Sequence, residues 1–276
     1  MTAAPPKVFS VLTLNLRFGL ADDGPQGWPF RRPLLRRFLA KHACDLMMFQ
    51  EANDFQIDFI ARCLPDHALI GKRHPAPPFW QNNVIFFRAP WELDRWMHFF
   101  LSPTPEIPSR FPESRWPRQC TMGRFNFGQH SLVCGTTHLD FDETVQMASA
   151  GIILSHIKYL AADRPVILGG DFNCTPSSAC HALFTSPEKP AVISNGAFRN
   201  VLHPLFPGTF HGFQGGQGRT CIDWILYRGG ITVKRARVIQ FDQATCYPSD
   251  HYPVTADFIW GNRSSDGNAM ATAPPL

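Results

Sequence analysis

The residues able to do chemistry in this chain fall repeatedly at the ends of apolar runs. Asn15 closes VFSVLTLN, Gln50 and Glu51 close LMMFQE, and His138 and Asp140 close a run that begins near Ser131. Asp171 and Asn173 follow VILGG, Asp223 lies inside CIDWIL, and Asp250 and His251 stand just before YPVTADFIW. Asn and Asp are depleted in strands, and carboxylates are rarely buried without a partner. Each residue alone has an ordinary explanation. Asn15 reads as a strand-end cap, Glu51 as a charge at a helix N-terminus, and His138 as a satisfied core histidine. Asp171 with Asn173 reads as an Asx turn, and Asp250-His251 as another turn. Asp223, inside an apolar strand, resists such a reading. Six such groups in one chain imply convergence on one edge of a sheet.

Glu51, Asp250 and Asn15 supply hard oxygen ligands of the kind that Mg²⁺ takes together with waters and substrate phosphate. His138, Asp171, Asn173, Asp223 and His251 then remain to activate a water, orient it and stabilise a phosphorane. That inventory fits metal-assisted hydrolysis of a phosphate ester. A carboxylate beside an imidazole favours the cation, and a cation is what the developing phosphorane needs. Cys174, Cys180 and His181 suggest zinc only weakly, because no paired CxxC accompanies them.

The elements that must position these groups are legible in outline. Residues 8–16, 45–51, 82–88, 91–101, 120–127, 131–139, 165–173, 222–228, 231–239 and 253–260 read as strands. Phe127 to His130 reads as a hairpin turn. Helical spacing of apolar residues marks 30–42, with Pro29 and Pro33 in its first turn, then 54–64 and 144–160. Arg31, Arg32, Arg36 and Arg37 read as a solvated helix face, and Trp91, Trp96, Phe99 and Phe100 as core. Many strands with few helices suggest sheet packed on sheet with helices outside. A single domain over 7–260 is expected, with flexible termini at 1–6 and 261–276.

With 276 residues, the chain buries enough surface to fold without staples. Eight scattered cysteines read as reduced, buried thiols. Net charge is +4, which suits an anionic substrate without showing one. The sequence shows no apolar run of membrane-spanning length, no amphipathic anchor, no secretory leader pattern at Met1–Pro6 and no dense basic tract. A cytoplasmic monomer is expected.

Six segments carry a resemblance: LTLNLR (12–17), FQEAND (49–54), TTHLD (136–140), GGDFNCTP (169–176), CIDWIL (221–226) and YPSDHYPV (247–254). In type and order they resemble the endonuclease/exonuclease/phosphatase superfamily of Mg²⁺-dependent phosphoesterases. The resemblance implies a four-layer α/β sandwich, two packed mixed β-sheets flanked by helices. It implies Mg²⁺ or Mn²⁺ held by Glu51, with Asn15 and Asp250 close to the metal. It makes Asp171 the general base, Asn173 a holder of water or phosphate oxygen, His251 a phosphate contact charged by Asp223, and His138 a contact opposite it. Arg118 and Arg219 are candidate substrate contacts. The substrate is expected to be a phosphodiester, in nucleic acid by preference, with a phosphorylated small molecule or phospholipid headgroup as the alternative. A non-catalytic binding module is the remaining reading. The substrate loops are expected at 72–81, 102–118 and 186–220.

Overall fold

A computed structural model describes residues 8–186, 196–241 and 246–261. The expected flexible termini lie outside these residues, apart from Gly261, whose N–H bonds to the Gly230 carbonyl at 2.8 Å.

Twelve strands form two six-stranded sheets. The first sheet draws on β1 (Val8–Asn15), β2 (Leu46–Ala52), β3 (His67–Ile70), β4 (Asn82–Arg88), β11 (Ile231–Val238) and β12 (Val254–Trp260), in the order β11-β12-β1-β2-β4-β3. The second draws on β5 (Glu92–Phe100), β6 (Gln119–Phe127), β7 (His130–His138), β8 (Val166–Asp171), β9 (Arg199–Asn200) and β10 (Asp223–Arg228), in the order β5-β6-β7-β8-β10-β9. Both sheets are mixed. In each, one pair is parallel, β1 with β2 and β7 with β8. Parallel neighbours need a crossover, and helices supply it: α1 (Trp28–His42) links β1 to β2, and α3 (Glu143–Ala161) links β7 to β8. Two further helices are α2 (Asp54–Cys63) and α4 (Ala179–Thr185).

Strand alternation divides the core. Val11, Met48 and Ile85 of the first sheet share a buried cluster with Phe125, Cys134 and Ile167 on the facing side of the second. Their neighbours Leu12, Met47, Phe49 and Phe86 face outward instead, against Leu35 and Phe38 of α1 and Ile57 and Ile60 of α2. On the other side Ile153 and Ile157 of α3 close the second sheet. The result is the expected α/β sandwich of helix, sheet, sheet and helix.

Four details differ from the sequence reading. α1 begins at Trp28, so Pro29 sits in its first turn but Pro33 lies inside the helix. β3, α4 and β9 were not expected; α4 starts where Ser178 accepts the His181 N–H, and β9 is a two-residue pairing with β10. Arg31 does not belong to a solvated face. It is buried, and its guanidinium donates to the carbonyls of Leu16, Gln26 and Pro248 at 2.7–3.0 Å. Trp91, Phe99 and Phe100 are core as expected, whereas Trp96 is exposed.

Candidate active site

The two crossovers create the site. Ligands bind outside the carboxyl ends of parallel strands, where the crossover chains diverge. Asn15 ends β1 beside Gln50 of β2, and His138 ends β7 in register with Asp171 at the end of β8. Antiparallel β10 then brings Asp223 opposite Asp171. Asp250 and His251 arrive on the turn before β12, which is fixed to β1 by the Ser249 hydroxyl donating to the Asn15 carbonyl at 2.6 Å.

Backbone irregularity aims the side chains. The β2–β4 register shifts between Phe49 and Ala52, and Glu51 there adopts φ 57°. A bulge of this kind re-aims a side chain that strict alternation would point elsewhere. Asn173 also has a left-handed backbone, φ 51°. Its N–H donates to Asp171 Oδ1 at 2.9 Å, and its Nδ2 donates to the Leu139 carbonyl at 2.9 Å. Gly170, before Asp171, has φ 153°, and a Cβ there would lie 1.9 Å from the Thr137 carbonyl oxygen. Only glycine lets β8 press so closely on β7.

The expected residues converge. Asn15 Nδ2 donates to Glu51 Oε1 at 3.1 Å and to Asp171 Oδ2 at 2.9 Å, joining carboxylates of the two sheets. The Phe18 N–H donates to Glu51 Oε2 at 2.6 Å. His138 lies between the same carboxylates, Nδ1 3.9 Å from Glu51 and Nε2 3.5 Å from Asp171. His251 Nδ1 bonds to Asp223 Oδ2 at 2.9 Å, with Nε2 3.8 Å from Asp171 and 3.9 Å from Asp250. Arg118 lies close by, its Nε 3.4 Å from Asp140 and its guanidinium over the Phe141 ring. Arg219 is exposed and bonds through Nη2 to Gln214; it does not line the cleft described below.

Burial and charge set the protonation states. Asp171 is pushed up to about 7, first by burial and then by Asp223, against the pull of His251 and its hydrogen bonds. Burial works to lower His251, but Asp223, with Asp171 and Asp250 behind it, raises it well above the usual histidine range. His138 falls well below that range through burial, with Arg118 and His251 adding to the effect. The site therefore pairs a cationic imidazole with a neutral one.

The donor set fits a divalent cation. Four carboxylates, from Glu51, Asp171, Asp223 and Asp250, gather around one cationic imidazole and the Arg17 guanidinium, which Asp23 already shares at 2.7 Å. One ligand atom each from Asp171, Asp223 and His251 falls within a 4.8 Å cluster, and buried Asp223 Oδ1 has no hydrogen-bond partner. A cationic His251 cannot itself bind a metal, so the oxygens are the fitting donors. Asn15 presents its Nδ2, not its Oδ1, to the carboxylates, because Oδ1 accepts the Arg17 N–H at 2.8 Å. In this arrangement it holds Glu51 and Asp171 together as a donor, which differs from the expected oxygen ligand.

Several supporting residues had no signal in the sequence. Thr209 Oγ1 accepts the N–H groups of Ile222 and Asp223 at 3.0 Å each, fixing the start of β10. Phe210 packs its ring 5.0 Å from that of His251. Arg31, Ser249 and Thr209 all work through backbone atoms, which any sequence carries.

A cleft of about 610 Å³ opens beside Glu51 and His138. Its walls come from the segments at Arg17–Phe18, 79–83 and 116–119, with Phe141.

A model of the Endonuclease/Exonuclease/phosphatase family matches residues 12–251. No curated protein matches the sequence. Among solved structures, an endonuclease/exonuclease/phosphatase family protein from Bacteroides thetaiotaomicron is 24% identical, with 93% of this chain and 99% of that one covered at TM-score 0.81. A mannosyl-6-phosphatase from the same organism is 24% identical, with 91% and 100% covered at TM-score 0.80. The human Nocturnin catalytic domain with bound sulfate is 17% identical, with 94% and 100% covered at TM-score 0.71.

Proposed function

Starting from the fact that the chain belongs to the Endonuclease/Exonuclease/phosphatase family, whose members hydrolyse phosphate esters with a divalent metal, we propose how its own residues divide that reaction. Asp171 is the general base. The observation that carries this is its position: Oδ2 lies within 3.8 Å of Asn15, His138 and His251, at the meeting point of both sheets. A water there gives its proton to Asp171 as its oxygen bonds to phosphorus. The ester P–O bond breaks on the opposite side, and the departing oxygen takes a proton from solvent. Cationic His251, held by Asp223, faces the charge that accumulates on the phosphoryl oxygens. Neutral His138 donates from across the site, and Asn173 fixes Asp171 through its N–H. Glu51 holds the metal, with Asp250 near it; when bound, Mg²⁺ or Mn²⁺ neutralises phosphate charge and orients the phosphoryl group.

Two substrate readings remain from the sequence, a nucleic-acid phosphodiester and, as the alternative, a phosphorylated small molecule or phospholipid headgroup. The cleft favours the second. It is of ordinary small-molecule size, and its two arginines, Arg17 and Arg118, already face Asp23 and Asp140. A strand-binding groove instead needs cations available along a backbone track.

The test is a panel of phosphate monoesters and diesters, including oligonucleotides, assayed with Mg²⁺, with Mn²⁺ and after chelation. Metal-dependent release of phosphate from small esters supports the proposal. Undiminished turnover after exhaustive chelation overturns the metal role, and selective cleavage of oligonucleotides restores the nucleic-acid reading.

A further inference from the structure

Resting on the phosphoesterase reading above, we infer that the cleft takes a nucleotide-sized phosphate ester whose heteroaromatic ring stacks on a rim of Phe79, Trp116 and Phe141. These side chains are 63%, 55% and 73% exposed, yet all three line this one cleft. Large aromatic side chains left in water around one cleft mark a binding site. The cleft's inner wall includes Glu51 and His138, so a bound phosphate lies at the inner end and the remainder of the substrate reaches the rim.

The polar groups separate a base from a sugar. Aromatic rings pack against either. A hydroxyl-rich sugar also calls for acceptors such as carboxylates, and among the described residues the only carboxylate lining this cleft is Glu51, which belongs to the reaction centre. Besides Arg17 and Arg118, which face Asp23 and Asp140, and His138 of the reaction centre, the other polar side chains of the walls are amides. Asn83 Nδ2 donates to the Gln119 carbonyl at 2.8 Å, and Gln119 Nε2 donates to the Gln81 carbonyl. Their amide nitrogens are thus engaged within the protein, while buried Gln119 Oε1 has no partner. A small movement of Gln119 would offer that acceptor to an exocyclic amine. Among the described residues the cleft's arginines, Arg17 and Arg118, already face Asp23 and Asp140, so no unpaired cation lines it for a second phosphate, which favours one nucleotide unit.

The rim is preorganised. Asn53 Nδ2 donates to the carbonyls of Pro78 and Trp80 at 3.3 and 2.9 Å, which holds Phe79 from both sides. Trp80 is backed by Arg73, whose guanidinium lies 4.4 Å from its ring centroid. Fixing the walls in advance lowers the ordering cost of stacking.

The experiment is calorimetric titration of Asp171→Asn protein in Mg²⁺ with adenosine 5′-monophosphate, ribose 5-phosphate and octyl phosphate. Base stacking on aromatic side chains predicts that the adenylate binds at least about ten-fold tighter than ribose 5-phosphate. Phe79→Ala/Trp116→Ala, at exposed positions, removes that preference by weakening adenylate binding far more than ribose 5-phosphate binding. Equal affinity for the two, a preference that survives the double substitution, or no binding of any probe overturns the inference. Tighter binding of octyl phosphate replaces it with an alkyl occupant. Because these readouts need no turnover, they separate from the reaction itself. A ring preference in a wild-type protein that hydrolyses no phosphate ester would sink the proposed function and leave the stacking site standing.

Discussion

The floor of the site and its rim are built by opposite means. On the floor, Asn15, Asp171, Asp223 and His251 are buried, end regular strands or abut them, and bond to one another across the two sheets. On the rim, Phe79, Trp116 and Phe141 are exposed and come from irregular segments, two of them rich in proline. Ladder hydrogen bonds fix the floor, so moving one of its groups means moving a strand. The rim can change its side chains without disturbing any ladder. The comparison teaches that reaction and substrate choice are separable here, the first tied to the fold and the second carried by loops.

Four measurements break or sharpen that division. The largest effect is expected from metal removal: exhaustive chelation abolishes turnover, and Mg²⁺ or Mn²⁺ restores it, read as initial rate against added metal. Next comes the floor itself. Asp171→Asn is nearly isosteric but cannot take a proton from water, so kcat falls by about 10²–10⁴-fold with far-ultraviolet circular dichroism unchanged. His251→Ala loses a similar amount through a missing cation, and Asp223→Asn less. Combined, the last two lose less than the product of their separate losses, because Asp223 acts through His251. A fully multiplicative double variant breaks the pairing.

Substitution on the rim is expected to do less and to do it differently. Trp116→Ala raises KM by about ten-fold or less, in line with the loss of one stacked ring, with kcat nearly unchanged. A large fall in kcat would show that rim and floor are not separable.

The smallest effect concerns stability. Asp171 has its folded-state pKa raised from 3.8 to about 7. A carboxyl raised on folding favours the folded state below its unfolded pKa, and that contribution is lost as pH rises through the folded value. Metal-free Asp171→Asn is therefore expected to gain in Tm over the metal-free parent as pH rises from about 4 to about 7, with a constant gap above. Thermal melts across that range in chelator check it. A gap that shrinks with pH would mean that Asp171 is stabilised as a carboxylate by its neighbours.

How much could be read from residues alone follows the same boundary. Glu143–Ala161 stands out because its apolar spacing continues long enough to declare a period, and Asn82–Arg88 because the bounded apolar run VIFF reads as a buried strand. α4 and β9 do not, since seven residues show little periodicity and a two-residue strand exists only through its partner. Asp223 was legible because an acid inside an apolar strand needs a reason; its pairing with His251 is what the family resemblance implies, and the structure places them 2.9 Å apart. Arg31 was misread because the three carbonyls that bury it come from residues 16, 26 and 248, which no helical pattern reveals. The cleft was legible only in part: the loops expected at 72–81 and 102–118 do line it, with Phe79, Trp80 and Trp116, but nothing in the sequence joins them to Phe141 or Arg17. Its walls come from separate stretches of chain and meet only after both sheets have formed.

The pairing of β1 with β12 sets the order in which the enzyme can be born. Val8 lies opposite Ile259, and Ser249 bonds back to Asn15 across 234 positions of sequence. During synthesis β1 emerges first and must wait for β12 before that side of its ladder is filled. Contacts so distant in sequence slow folding. They also mean that a nascent chain holding Asn15, Glu51, His138 and Asp171 still lacks His251. On the roles proposed above, hydrolysis of a phosphate ester therefore begins only when the last strand of this sheet has been made and has closed on the first.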